Sequence, residues 1–215
     1  MPALTKLDVK KIVQVKFPES QFYKEEQTKK QIVIHHTVSG PDSTRVFEGW
    51  ASNPERVATA FVISADGTIT QGFNSQYWAH HLGLKKPNNT ALNKASIAIE
   101  VCNWGGLTTK EGKFYSAFNR EVPADEVIDY GKKWRGYRYF HKYTALQIEA
   151  LRQLVVYLAD KYAIDKTYKA DMWDISPNAL SGKNGIYTHV SYREDKSDMH
   201  PQLELMEMLK NLNSI

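Results

Sequence analysis

Two predicted strands of this sequence carry histidine at or near their ends. The apolar run 31–34 leads directly into His35 and His36, and His189 lies within or at the end of the run 186–192. Histidine nitrogens, together with a carboxylate, are common ligands of catalytic zinc, which binds three side chains and keeps one position for water. Spacing alone does not distinguish such a site from two structural histidines, because pairs this far apart in a sequence also arise by chance.

Several carboxylates could supply the third metal ligand and a proton-transfer group for such a site. Asp198 follows His189 by nine positions (198 − 189 = 9), a distance that a short loop can close, and Asp195 and His200 compete for the same role. Glu100 lies inside an otherwise apolar predicted strand. Burial disfavours the charged form of a carboxyl group, which suits a residue that must take up a proton and return it.

The remaining pattern predicts one α/β domain with a central mixed sheet flanked by helices, because strands alternate with helices and no linker interrupts them. Asp66-Gly67 joins two alternating runs as a hairpin turn does. Thr144 and Gln147 form a capping box at the start of an amphipathic helix. The predicted elements are strands at 31–34, 96–101 and 186–192, a hairpin within 58–73, and helices after Asp42, at 144–162 and after Pro201.

Composition limits the classes of function. The net charge of +4 permits contact with an anionic polymer but is far below that of a dedicated nucleic-acid binder. The run 132–142 mixes cations with aromatic residues and is interpreted as a structural segment with a solvated basic face.

Cys102 is the single cysteine, so no internal disulfide forms. No apolar run is long enough for a signal peptide or for stable membrane insertion.

Five short motifs occur in order between about residues 31 and 200: IVIHHT, AFVISADGTITQ, WAHHLG, SIAIEVCNWG and THVSYREDKSD. Together they resemble the zinc-dependent N-acetylmuramoyl-L-alanine amidases, which include phage endolysins and share a fold with peptidoglycan recognition proteins. The opening motif IVIHHTVSG and the later segment WRGYRYFHKYT are most similar to those of phage-type lytic amidases. The resemblance implies an amidase catalytic domain at 31–215 and leaves 1–30 as an N-terminal extension packed on it.

The resemblance also implies roles for individual residues. His35, His189 and Asp198 would bind Zn²⁺. Glu100 would be the catalytic glutamate, and Lys196 would stabilise the oxyanion. The register of the third ligand is less secure than that of the two histidines, because the loop departs from the Asp-Pro-Gly ending that many relatives share.

Substrate binding is assigned to the cleft around His81, Asn103 and Trp104. Some relatives place a tyrosine in the second strand where this chain has Thr59 and Ala60, which favours the mechanism that depends on glutamate.

The predicted function is cleavage of the amide bond between N-acetylmuramic acid and L-alanine in bacterial peptidoglycan. The predicted protein is a monomer that binds no nucleic acid, stays in the host cytoplasm before lysis and reaches the wall after membrane permeabilisation. The alternative is a non-catalytic peptidoglycan-binding module on the same fold. Such binders typically lose at least one metal ligand, whereas all three candidate positions here hold residues able to bind a metal.

Overall fold

The computed structural model describes residues 5–214 and builds them around two β-sheets. The strands are β1 (Val13–Gln14), β2 (Gln31–His36), β3 (Phe61–Ile63), β4 (Ile69–Gln71), β5 (Ser96–Val101), β6 (Gly106–Lys110), β7 (Lys113–Tyr115), β8 (Glu121–Val122), β9 (Val127–Trp134), β10 (Tyr137–His141) and β11 (Gly185–Thr188). The α-helices are α1 (Ser43–Ala51), α2 (Asn89–Ala95), α3 (Ala145–Tyr162), α4 (Pro177–Leu180) and α5 (Leu203–Lys210). Among the described residues, no helix has both the length and the apolar character needed to span a bilayer.

The first sheet is the central mixed sheet that the sequence predicts. Its strand order is β1-β4-β3-β5-β2-β11, and every neighbouring pair is parallel except the β3–β4 hairpin. Strand β2 therefore lies between β5 and β11 with all three carboxyl ends at one edge. His35 pairs with Glu100, and Ile34 pairs with Thr188, so His189 follows directly at the same edge. The sheet thus brings together polar residues that are far apart in the chain.

Alternation along β2 decides which histidine reaches the site. Ile32 and Ile34 pack in the large core that also contains the apolar stripe of α3, whereas Val33 packs in a smaller cluster on the opposite face. Successive strand residues point to opposite faces, so His35 shares the side of Val33. The ring of His36 lies on the other side, where its Nδ1 is 2.8 Å from the Tyr143 hydroxyl.

The second sheet was not predicted from the sequence. It is antiparallel with the order β8-β7-β6-β10-β9, and the run 132–142 forms most of the β9–β10 hairpin. All eight residues of β9 are partly buried or exposed, and none is fully buried, so buried and exposed positions do not alternate. Without an alternating apolar face, a strand gives no period-two signal.

The end of β11 also differs from the prediction of a strand at 186–192. The strand stops at Thr188, and His189–Ser191 form a 3₁₀ turn. The Thr188 and Ser191 side chains cap this turn reciprocally. A turn directly after the strand directs His189 inward at the sheet edge.

The described part of the N-terminal extension contributes to the core. Strand β1 adds to the edge of the central sheet beside β4. Phe22 stacks on Phe73 with ring centroids 4.7 Å apart, and Phe17 meets the edge of Phe47 at 5.2 Å. The domain boundary at residue 30 stays a prediction.

Candidate metal and catalytic site

Three buried side chains converge at the carboxyl edge of the central sheet. Asp198 Oδ2 lies 2.9 Å from His189 Nδ1 and 3.2 Å from His35 Nδ1. One ligand atom from each residue falls within 4.8 Å of the others. His35 comes from the end of β2, His189 from the turn after β11, and Asp198 from the loop that precedes α5. The structure therefore joins the three residues that the sequence proposed as zinc ligands.

The hydrogen bond behind His189 indicates what this cluster can hold. His189 Nε2 is 3.0 Å from the Leu82 carbonyl oxygen, which can only accept a hydrogen bond. In a neutral imidazole the single proton is then on Nε2, and Nδ1 presents a lone pair. That lone pair faces the Asp198 carboxylate. Two electron-pair donors aimed at one point, both buried, fit a divalent cation such as zinc.

His35 is buried and its imidazole is neutral at pH 7. Burial lowers its pKa to about 4, helped by the neighbouring His189 and opposed by Asp198. A neutral ring can offer a lone pair to a metal. Its Nε2 lies 3.1 Å from His81 Nδ1, so a hydrogen bond positions the His35 ring on the side opposite Asp198.

Glu100 faces the same edge of the sheet and is half-buried. Among the described residues, its buried Oε2 has no hydrogen-bond partner. Burial raises the pKa of Glu100 well above its usual value, and the nearby Asp198 charge raises it further, while Lys196 acts in the opposite direction. A carboxyl group in this environment is suited to proton transfer.

The two competitors for the third ligand lie elsewhere. Asp195 is exposed, and its carboxylate oxygens accept hydrogen bonds from Arg193 at 2.9 and 2.6 Å. His200 is fully buried, where its Nε2–H donates to the His141 carbonyl at 3.0 Å and its Nδ1 accepts from the Tyr130 hydroxyl at 2.9 Å. Both nitrogens of His200 are therefore already used.

The sequence of residues 25–201 matches the family described as N-acetylmuramoyl-L-alanine amidase. The chain belongs to this amidase family. Membership of this family supports peptidoglycan as the substrate of the protein. A search of curated proteins finds no match to the chain.

Solved structures show the same fold at low sequence identity. The structure of PlyL is 14% identical with a TM-score of 0.56, covering 94% of this chain and 96% of that one. The PlyG catalytic domain is 15% identical with a TM-score of 0.56, covering 94% and 93%. A mutant endolysin from Bacillus subtilis is 16% identical with a TM-score of 0.52, covering 93% and 96%. At these identities the likeness shows the fold alone.

A cleft of about 610 Å³ opens at the carboxyl edge of the central sheet, beside Glu100. Glu100 and Trp104 both line it, together with Trp50, Phe118 and Arg120. Phe118 is 69% exposed, which is unusual for so large an apolar side chain. The sequence did not single out the last three residues, because two of them belong to the unpredicted second sheet and its loops. Trp104 also lines a larger cavity of about 1250 Å³, which is lined by neither Glu100 nor the three clustered residues.

The other two residues assigned to substrate binding lie behind the site rather than in this cleft. Asn103 is 1% exposed, its Nδ2 donates to the His141 and Lys142 carbonyls, and its Oδ1 accepts from the Gly105 N–H. Its amide therefore ties the end of β5 to the end of β10. The His81 ring lies between His35 and Ser96, and substrate contact by His81 stays a prediction.

Proposed function

We propose that this chain is a zinc-dependent hydrolase of the amide bond between N-acetylmuramic acid and L-alanine in peptidoglycan. The observation that best supports this is the meeting of His35, His189 and Asp198 beside Glu100, whose buried Oε2 has no hydrogen-bond partner in the described part of the chain. A binding module on the same fold would need neither the metal ligands nor a half-buried glutamate whose buried Oε2 has no hydrogen-bond partner among the described residues. The retained set therefore favours the enzyme over the non-catalytic alternative.

Zinc held by these ligands would lower the pKa of a bound water towards about 7 and supply the nucleophile at neutral pH. Glu100 would accept the proton of the attacking water and deliver it to the amide nitrogen that leaves with L-alanine. A neighbouring divalent charge favours the ionised carboxylate and so opposes the effect of burial on Glu100. This residue would thus act first as base and then as acid.

Lys196 supplies a second positive charge on the same side. Its ammonium is close enough to lower the pKa of both Glu100 and His35. A fixed cation beside developing negative charge on the carbonyl oxygen stabilises the transition state of acyl transfer. We assign this oxyanion role to Lys196.

The cleft next to Glu100 would take the stem peptide and the sugar. Trp50, Trp104 and Phe118 offer flat apolar faces of the kind that pack on sugar rings and on peptide side chains, while Arg120 offers charge to a carboxylate. The biological setting we propose is that of a phage endolysin. The protein would act as a monomer on the cell wall after the membrane is permeabilised, having stayed in the host cytoplasm before lysis.

A matched pair of aspartate variants tests the zinc site. Asp198→Asn should lose stoichiometric zinc and all measurable release of alanine N-termini from isolated peptidoglycan, because the cluster loses its anionic ligand. Asp195→Asn, three residues away on an exposed ion pair with Arg193, should keep both. Metal analysis and N-terminal labelling of the digest give the two readouts. Zinc retained by Asp198→Asn at the native level would refute the ligand set.

A further inference from the structure

The loop 193–200 carries two residues of the proposed site, Lys196 and Asp198, between the turn that follows β11 and helix α5. In the described chain this loop contains no helix or strand. Within it, the Lys196 N–H reaches the Arg193 carbonyl oxygen only at a long 3.4 Å. Contacts from outside the loop must therefore decide where the half-buried Lys196 lies.

The tip of the β9–β10 hairpin supplies one of these contacts. Arg135 lies in the turn that joins the two strands, and its Nη1 donates to the Glu194 carbonyl oxygen at 2.9 Å. Its Nη2 donates to the carboxylate of Asp174. The Arg135 side chain is only 13% exposed, although it comes from a hairpin tip. One guanidinium thus holds the loop two residues before Lys196.

The same hairpin also contacts the other end of the loop. The Tyr130 hydroxyl lies 2.9 Å from His200 Nδ1. The His200 ring packs between Phe140 and Tyr143, with centroids 4.7 and 4.4 Å away. His200 follows Asp198 by two positions. The second sheet therefore holds the loop on both sides of the segment that carries Lys196 and Asp198.

The backbone of the turn does not explain why an arginine lies at its tip. Arg135 and Gly136 form a two-residue hairpin loop, and both have positive φ, at 46° and 92°. This is the pattern of a type I′ turn, in which Asn-Gly is strongly preferred. An arginine in the left-handed region is unfavourable by comparison. Its planar, fork-shaped side chain instead suits the carbonyl and the carboxylate that it joins.

We propose that Arg135 is a positioning residue, which holds the loop 193–200 from the tip of the β9–β10 hairpin and so places Lys196 beside the reacting carbonyl group. This rests on the proposed function, in which Lys196 stabilises the oxyanion. Arg135 does not line the cleft beside Glu100, so it acts through the main chain at Glu194 and not on the substrate.

Arg135→Asn separates positioning from folding, because it suits the turn better than arginine but removes the guanidinium. With a soluble muropeptide as substrate, kcat should fall about 10-fold and KM should stay within about twofold, since the lost interaction is made in the transition state. The Tm should equal or exceed that of wild type. Arg138→Asn is the matched control. It breaks an ion pair with Asp129 on the same hairpin and should leave kcat unchanged.

A double variant tests whether Arg135 acts through Lys196. Lys196→Met alone should lower kcat about 100-fold, as the loss of an oxyanion-stabilising group does. Adding Arg135→Asn to Lys196→Met should then lower kcat by less than about twofold, because there is no ammonium left to position. A further 10-fold loss in the double variant would overturn the proposal.

Trypsin provides a readout that needs neither zinc nor activity, because the loop contains cleavage sites after Arg193 and Lys196. Under native conditions Arg135→Asn should be cleaved at these sites about 10-fold faster than wild type, and Arg138→Asn at the wild-type rate. Mass spectrometry of the fragments identifies the sites. Equal rates for the two variants, or a wild-type kcat in Arg135→Asn, would overturn the proposal. Wild type without amidase activity would refute the proposed function, while the trypsin rates would still decide whether Arg135 holds the loop.

Discussion

At the scale of single residues, the site combines groups whose charges and protons are controlled by burial. Glu100 is the clearest case, because its buried Oε2 has no partner among the described residues. Such a group costs stability unless it is protonated or faces a cation. A residue that is unfavourable for folding but well placed for proton transfer is typical of an active site.

This cost predicts how stability depends on pH in the zinc-free protein. Burial holds the pKa of Glu100 well above its usual value, so the folded state binds this proton more tightly than the unfolded chain does. The stability it contributes is therefore complete below the unfolded pKa of about 4.3 and is lost as pH rises towards the folded pKa. Glu100→Gln, which cannot ionise, should accordingly have a Tm a few degrees above that of wild type at pH 8.

The same variant should match wild type in stability near pH 4, where both side chains are uncharged. It should also lose the amidase activity that we propose, because it cannot accept a proton. Thermal unfolding of both zinc-free proteins between pH 4 and pH 8 provides the comparison. Equal Tm values at pH 8 would contradict the description of Glu100 as a half-buried carboxyl group whose Oε2 has no hydrogen-bond partner among the described residues.

At this scale the sequence alone could identify candidate site residues, but it could not predict the groups with which they form hydrogen bonds. His35, His189 and Asp198 were named from motifs and are found together. The bonds of Asn103 to the main chain of β10 could not be foreseen, because they depend on the second sheet. Similarly, the His81 N–H donates to Asn93 Oδ1 at 2.8 Å, so the placement of His81 behind His35 depends on α2, a helix that was not predicted.

At the scale of secondary structure elements, prediction succeeded where periodicity and end signals agree. Helix α3 begins with the predicted capping box, in which Thr144 Oγ1 accepts from the Gln147 N–H and Gln147 Oε1 accepts from the Thr144 N–H. Strand β2 was recognised from its apolar run. The antiparallel strands β6 to β10 were missed, because their exposed faces carry mixed residues and their pairing is set by tertiary contacts.

The cap of α3 gives a prediction about this element. The Thr144 hydroxyl also donates to the Ala65 carbonyl at 2.8 Å, so it joins the helix to the β3–β4 hairpin. Thr144→Ala should lower the free energy of unfolding by about 1–2 kcal/mol. Thr144→Ser keeps the hydroxyl and should stay much closer to wild type in denaturant unfolding. An alanine variant as stable as the serine variant would show that the cap contributes nothing.

At the scale of the whole molecule, the N-terminal extension is joined to the elements that support the site. Lys29 is buried, and its Nζ donates to the carbonyls of Tyr77, Lys94 and Ser96 at 2.8–3.1 Å. The last two acceptors lie where α2 meets β5, next to the Ser96 hydroxyl, which is 2.8 Å from His81 Nε2. One lysine therefore connects three segments of the chain.

Removing this lysine should destabilise the whole fold. Lys29→Met would leave three buried carbonyl groups without their donor, and the free energy of unfolding should fall by about 2–4 kcal/mol. Lys30→Met changes the adjacent but exposed lysine and should alter it by no more than about 0.5 kcal/mol. Urea titration of both variants tests the contrast. Similar values for the two would mean that Lys29 does not anchor the extension.

The central claim is that zinc on His35, His189 and Asp198 is required for amide hydrolysis. The most direct test is to count alanine N-termini released from purified peptidoglycan by the native protein, by the zinc-depleted protein and by the same sample after zinc is restored. The predicted result is release by the native protein, none after depletion, and recovery at one zinc ion per chain. Undiminished release by protein shown to contain no metal would contradict the account.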